Sequence, residues 1–169
     1  MTPSLHDIAL PVFNQMLGGL AGVLVKAQAH AEARQIEPGA LLQARLFPDM
    51  FPLLRQVRVA CDFAKSVSAR LAGVAVPAFE DKEQSFEDLQ ARIAKTLAFV
   101  NALTPQQFEC SATREIVTQA GTPKEVRFVG QAYLLHYGLP HFFFHVGTAY
   151  SILRHNGVEV GKKDFIGSY

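Results

Sequence analysis

The sequence predicts an all-α fold: a four-helix bundle with a small β-hairpin between helices three and four. Three observations predict it. Apolar residues recur at three- and four-residue spacing through four stretches, capping residues or glycines punctuate those stretches, and a two-residue period appears once, between Ala112 and Val129. With 169 residues, 49% of them hydrophobic, the chain has the size and core of one domain, so residues 1–169 are read as a single unit.

The first helix is expected from Ser4 to Arg34, with Leu5, Ile8, Val12, Met16, Leu20, Val23, Ala27 and Ala31 as its stripe. Pro11 lies inside it and removes a backbone donor, which predicts a kink or a regular start at Pro11 itself. The run from Ile8 to Val25 has the apolarity of a signal or membrane segment. It also holds Pro11, Asn14 and Gln15, and no Lys or Arg precedes Lys26, so it reads as a core helix with no membrane partner.

Helix two is expected from Met50 to Ala72, capped by Asp49 and stopped by Gly73. Its polar arc is Arg55, Arg58, Asp62, Lys65 and Ala69, with Arg58 and Asp62 as a surface pair. Val74 to Gln84, with Pro77 and an acidic run, reads as a solvated linker. Ser85 with Asp88 three residues on resembles a capping box, and Phe86, Leu89, Ile93, Leu97 and Val100 form the stripe of helix three. Arg114–Thr118 and Glu125–Val129 flank Gly121-Thr122-Pro123 as the two arms of the hairpin. Gly130 to Tyr137 reads as a short helix interrupted at Gly138-Leu139-Pro140, after which helix four runs from Pro140 to Asn156-Gly157. The tail keeps Val160, Phe165 and Ile166, apolar anchors that predict folding back on the bundle.

Sixteen Lys plus Arg against 15 Asp plus Glu give a net charge of +1, which offers no field to attract a polyanion, so nucleic acid is not an expected partner. Cys61 and Cys110 are far apart in a chain large enough to fold without staples; they read as free thiols in a reducing cytoplasm. Phosphate-loop, dinucleotide, nucleophile-elbow and HExxH patterns are absent, which argues against the common enzyme classes.

One constellation carries chemistry. His141 and His145 are four residues apart on helix four, so both imidazoles share a face and can approach one ion. Thr148 and Ile152 continue that line as candidate pocket-lining residues. The same spacing also arises where each ring packs in an aromatic-rich helix and bonds to a carbonyl, and both readings stand at this point. Tyr150 and Arg154, also four apart, suggest a cation over a ring.

Three stretches carry a family resemblance: Phe47-Pro48-Asp49-Met50-Phe51-Pro52-Leu53 running on to Ala60-Cys61-Asp62-Phe63-Ala64-Lys65; Phe79-Glu80-Asp81; and Phe142-Phe143-Phe144-His145 continuing through Ala149–Val158 to Gly161-Lys162-Lys163-Asp164-Phe165. Over nearly its full length the chain resembles the DinB-like (YfiT-like) superfamily of metalloenzymes, within a domain-of-unknown-function branch. The resemblance implies a four-helix bundle with a long crossover, commonly a homodimer, in which a divalent transition metal such as zinc or nickel is held by one histidine of helix two and a pair from the last helix. His141 and His145 match the pair. Gln56 stands at the matching place in helix two, so it is the third candidate ligand and, with Thr148 and Ile152, a pocket-lining residue. An amide oxygen is a poor ligand for such a metal. Two functional expectations follow: a dimeric binding or stress-associated protein with a degenerate metal site, or a metal-dependent, thiol-using transferase or related enzyme acting on a small molecule.

Overall fold

A computed structural model describes residues 4–169. Four long helices form the body: α1 (Leu5–Arg34), α3 (Leu53–Ala72), α4 (Phe86–Asn101) and α6 (Leu139–His155). The shorter elements are α2 (Pro38–Leu42), a 3₁₀ turn at Pro105–Phe108, the hairpin β1 (Glu115–Thr118) and β2 (Val126–Val129), α5 (Gly130–Ala132) and α7 (Lys162–Ile166). The strands pair antiparallel with Glu115 opposite Val129 and Thr118 opposite Val126, and β1 buries Ile116 and Thr118. The architecture is the expected bundle with its hairpin between the third and fourth long helices.

Each long helix begins or ends where local chemistry dictates, with three corrections to the expected boundaries. Ser4 caps α1, its hydroxyl accepting from the Asp7 amide while the Asp7 carboxylate accepts from the Ser4 amide. The helix runs unbroken through Pro11. That residue falls in its second turn, and the surrounding apolar face, including Ala9, Leu10 and Phe13, is buried deeply enough to hold the turn. Asp49 is not the cap of α3: residues 48–50 form a turn, the Leu53 amide donates to Ala44, and Pro52 occupies the cap position. Gly73, at φ 71°, ends α3 as expected. Ser85 and Asp88 form the reciprocal capping box of α4.

The third correction concerns helix four. Gly138-Leu139-Pro140 does not interrupt it; the chain is helical from Gly130 to His155, widened into a π-helical stretch over Tyr133–Gly138. That widening lets the helix absorb Pro140, whose ring would clash with the preceding turn of a regular α-helix. Gly138 also lets the helix approach α3, since a Cβ there would lie 2.8 Å from Val67 Cγ2.

The core lies between α1, α3, α4 and α6, with α3 packed most extensively on α6 and then on α4. Phe13 meets Phe142 edge to face at 4.9 Å, both fully buried. Burying a side chain of this size contributes about 1.5–3 kcal/mol. α1 has the length and apolarity to cross a membrane, and half of its most apolar window is packed inside the bundle. The tail folds back as expected: Val158 and Val160 are buried, Gln15 donates to Ile166 O at 3.1 Å and Lys26 pairs with Asp164 at 2.7 Å. Tyr150 serves that tail, with its ring against Phe165 and its hydroxyl 3.4 Å from Val160 O, rather than lying beneath Arg154.

Candidate functional site

The close contact of Gly138 with Val67 and the bond between His145 and Gln56 fix α3 and α6 as antiparallel neighbours. Gln56 belongs to the first turn of α3 and is 1% exposed. From there its amide reaches back to the chain that leads into the helix, Nε2 donating to Phe51 O at 3.1 Å. Its Oε1 lies 2.7 Å from His145 Nδ1. An amide oxygen only accepts, so Nδ1 carries the proton and Nε2 the lone pair.

His145 is 7% exposed and lies between aromatic rings, stacked on Phe63 at 5.8 Å and edge-on to Phe144 at 5.2 Å. Burial, helped by repulsion from His141, lowers its pKa from 6.5 to about 4, so the ring is neutral at physiological pH. One turn earlier, His141 is exposed and stacks on the same Phe63 ring at 4.8 Å. Its Nδ1 donates to Tyr137 O at 2.8 Å, which again leaves Nε2 as the lone-pair nitrogen.

The structure therefore brings His141 and His145 together on Phe63 and joins Gln56 to His145. Thr148 and Ile152 follow along α6, but Thr148 donates to Phe144 O at 2.7 Å within its own helix, and Ile152 is fully buried in the core. Sequence reasoning missed the Phe51 carbonyl, which occupies the amide end of Gln56. A glutamine in the first turn, four residues after Pro52, was the available signal.

Two imidazoles with Nδ1 tied to oxygen acceptors and Nε2 bare have the orientation that metal-ligating histidines adopt. The third donor is where the set falls short. Both ends of Gln56 are engaged, its oxygen by the histidine N–H and its nitrogen by Phe51. Among the described residues, no group of three His, Cys, Asp or Glu side chains is placed to hold an ion. Structural and catalytic transition-metal sites ordinarily need three or four protein ligands, so the side chains present do not fit one.

With 38% identity, the crystal structure of a DinB family member protein from Shewanella denitrificans superimposes with a TM-score of 0.90, over 98% of this chain and 93% of that one. Fold and site thus define a DinB-type helical bundle. The chain belongs to the DUF1993 family, a domain of unknown function, which it matches over residues 5–166. No curated protein matches it.

Proposed function

We propose that this chain is a non-catalytic, homodimeric binding or stress-associated protein of the cytoplasm, built on a DinB-type bundle whose metal position lacks a third donor because Gln56 is hydrogen-bonded to His145. The 2.7 Å contact between Gln56 Oε1 and His145 Nδ1 carries this reading, because it commits the one side chain that α3 offers to holding the ring instead of an ion. Self-association is supported by Phe143 and Phe144, 39% and 57% exposed on the same helix as the histidines. A small molecule is the ligand class that suits the neutral, aromatic surroundings of His145.

Titration calorimetry with Zn(II) and Ni(II) on the wild type and on Gln56→His tests the proposal. It predicts no tight stoichiometric binding to the wild type and a gain on restoring an imidazole at position 56. Equal, tight binding by both proteins overturns it. A second reading, the metal-dependent thiol-using transferase, is favoured by one observation: both histidines present the Nε2 lone pair from the same helix face. It requires a third ligand that Gln56 does not supply.

A further inference from the structure

The crossover from α3 to α4 is expected to be a solvated acidic linker; Glu80 and Asp81 are exposed, as that reading has it, while Glu83 is shielded against α4. Residues 79–83 lie across α3 and α4, held by side chains alone: no amide from Ala75 to Glu83 donates to a main-chain carbonyl. Phe79 is seated between cations, with Lys65 Nζ and Lys95 Nζ each 4.2 Å from its ring centroid and Arg92 Cζ at 5.8 Å. Arg92, its side chain only 2% exposed, donates to Glu83 at 2.7 Å and to Glu80 O at 3.2 Å and pairs with Asp81 at 3.2 Å. Arg58 reaches Asp81 as well, and lies 3.3 Å from Glu83. Arg58 and Asp62 are therefore not a surface pair; Asp62 instead bonds Lys65 and Arg92, each at 2.9 Å. Lys65, expected on the polar arc, has a side chain 7% exposed.

Charge complementarity organises this contact. The helices offer Arg58, Lys65, Arg92 and Lys95 against two acids, Asp62 and Asp88, and the crossover answers with Asp81 and Glu83, while Glu80 pairs with Lys82 inside the crossover. The apolar contribution is small: Phe79 is partly buried, Val76 is 38% exposed, and a cleft of about 550 Å³ remains beside the ring, lined by Phe79, Glu83, Arg92 and Lys95. The inner pair is incompletely satisfied, because Arg92 Nε is buried without a hydrogen-bond partner and Glu83 Oε2 has only the 3.3 Å ionic contact with Arg58, a cost that offsets part of the pairing. Beneath the crossover the bundle is already closed, with Cys61, Ala64 and Ile93 buried as α3–α4 core.

We propose that residues 76–84 are an ionic lid that lifts from α3 and α4 as a unit while the bundle stays folded, uncovering the basic groove of Arg58, Lys65, Arg92 and Lys95. Salt loosens the outer Arg58–Asp81 pair, whose carboxylate is 58% exposed, before the shielded Arg92–Glu83 pair that acts as the latch.

Lysine accessibility tests the lid. A limiting dose of acetic anhydride, mapped by mass spectrometry, reads Lys65 against exposed Lys124, and thiol labelling of buried Cys61 reports loss of the bundle. Glu83→Gln removes the latch charge and Asp81→Asn the outer one, and neither side chain covers Lys65. A rise of about tenfold or more in the Lys65 to Lys124 ratio in either variant, with Cys61 still unreactive, is the expected result. An unchanged ratio in both variants overturns the proposal, and so does a rise that Cys61 labelling accompanies, since opening would then be unfolding.

Discussion

Replacing Gln56 by leucine keeps the side chain's bulk and removes two hydrogen bonds at once. His145 Nδ1 loses its acceptor at 2.7 Å and Phe51 O its donor at 3.1 Å, in a place where Gln56 is 1% and His145 7% exposed. Each bond contributes about 1 kcal/mol net, and a buried donor left without a partner costs a further ~1–3 kcal/mol. The leucine returns part of this through its apolar surface, so the expected loss is about 2–4 kcal/mol. His145→Phe retains a ring but strands Gln56 Oε1, for an expected loss of about 1–3 kcal/mol. In the double variant neither partner is stranded, so the two losses should fall short of additivity by about 1 kcal/mol or more. The Phe51 carbonyl is unpaired in both proteins that carry leucine in place of Gln56, so its cost cancels from the cycle. Urea unfolding of the four proteins at one concentration, with the slopes compared, gives the coupling. Additivity within about 0.5 kcal/mol would mean that the 2.7 Å contact contributes no energy, and the reasoning behind the missing third donor would fail.

Stability should also depend on pH through His145. Its pKa is about 4 in the folded chain and about 6.5 unfolded, so the unfolded state binds the extra proton between those values. The contribution is therefore complete above pH ~6.5 and is lost progressively as pH falls toward ~4, by on the order of 3 kcal/mol. Denaturant melts of wild type and His145→Phe across that range should show the variant with the flatter profile. At Gly19 a Cβ would meet Phe165 O at 2.8 Å, so Gly19→Ala should displace α7 and cost about 1–3 kcal/mol, seen as a lower Tm and faster proteolysis at Lys162 or Lys163. Of the two free thiols, exposed Cys110 should react rapidly with a disulfide reagent, while Cys61, buried and with its pKa raised to about 12 chiefly by desolvation, should react only on unfolding.

Local pattern made much of the bundle legible. The three- and four-residue stripes located all four long helices, the Ser85–Asp88 box fixed the start of α4, and Gly73 fixed the end of α3. The errors arose where tertiary contacts override local signals. Gly138 and Pro140 are breakers by any local rule, yet a π-helical stretch accommodates the proline and the glycine is spent on an approach to Val67. Asp49 is a good capping residue, but the chain enters α3 through a backbone bond from Leu53 to Ala44, and Pro52 holds the cap position. Glu83 of the crossover looked solvated because its main partner, Arg92, appears in the sequence as an ordinary polar residue of the next helix. At the site, helical spacing placed His141 and His145 on one face of the last helix, of which the structure buries His145 and leaves His141 exposed. What it did not reveal was the tautomer or the commitment of both ends of the glutamine, since each depends on an atom from another segment, Gln56 Oε1 for the histidine and Phe51 O for the glutamine.

The central claim is that Gln56 holds His145 where a metal ligand set would need a third donor. Elemental analysis of untagged protein, after reconstitution with Zn(II) and Ni(II) and removal of loosely held ions, tests it most directly. The account predicts substoichiometric metal in the wild type and the same low level in His145→Ala. Close to one tightly held ion per chain in the wild type, lost in His145→Ala, would contradict it.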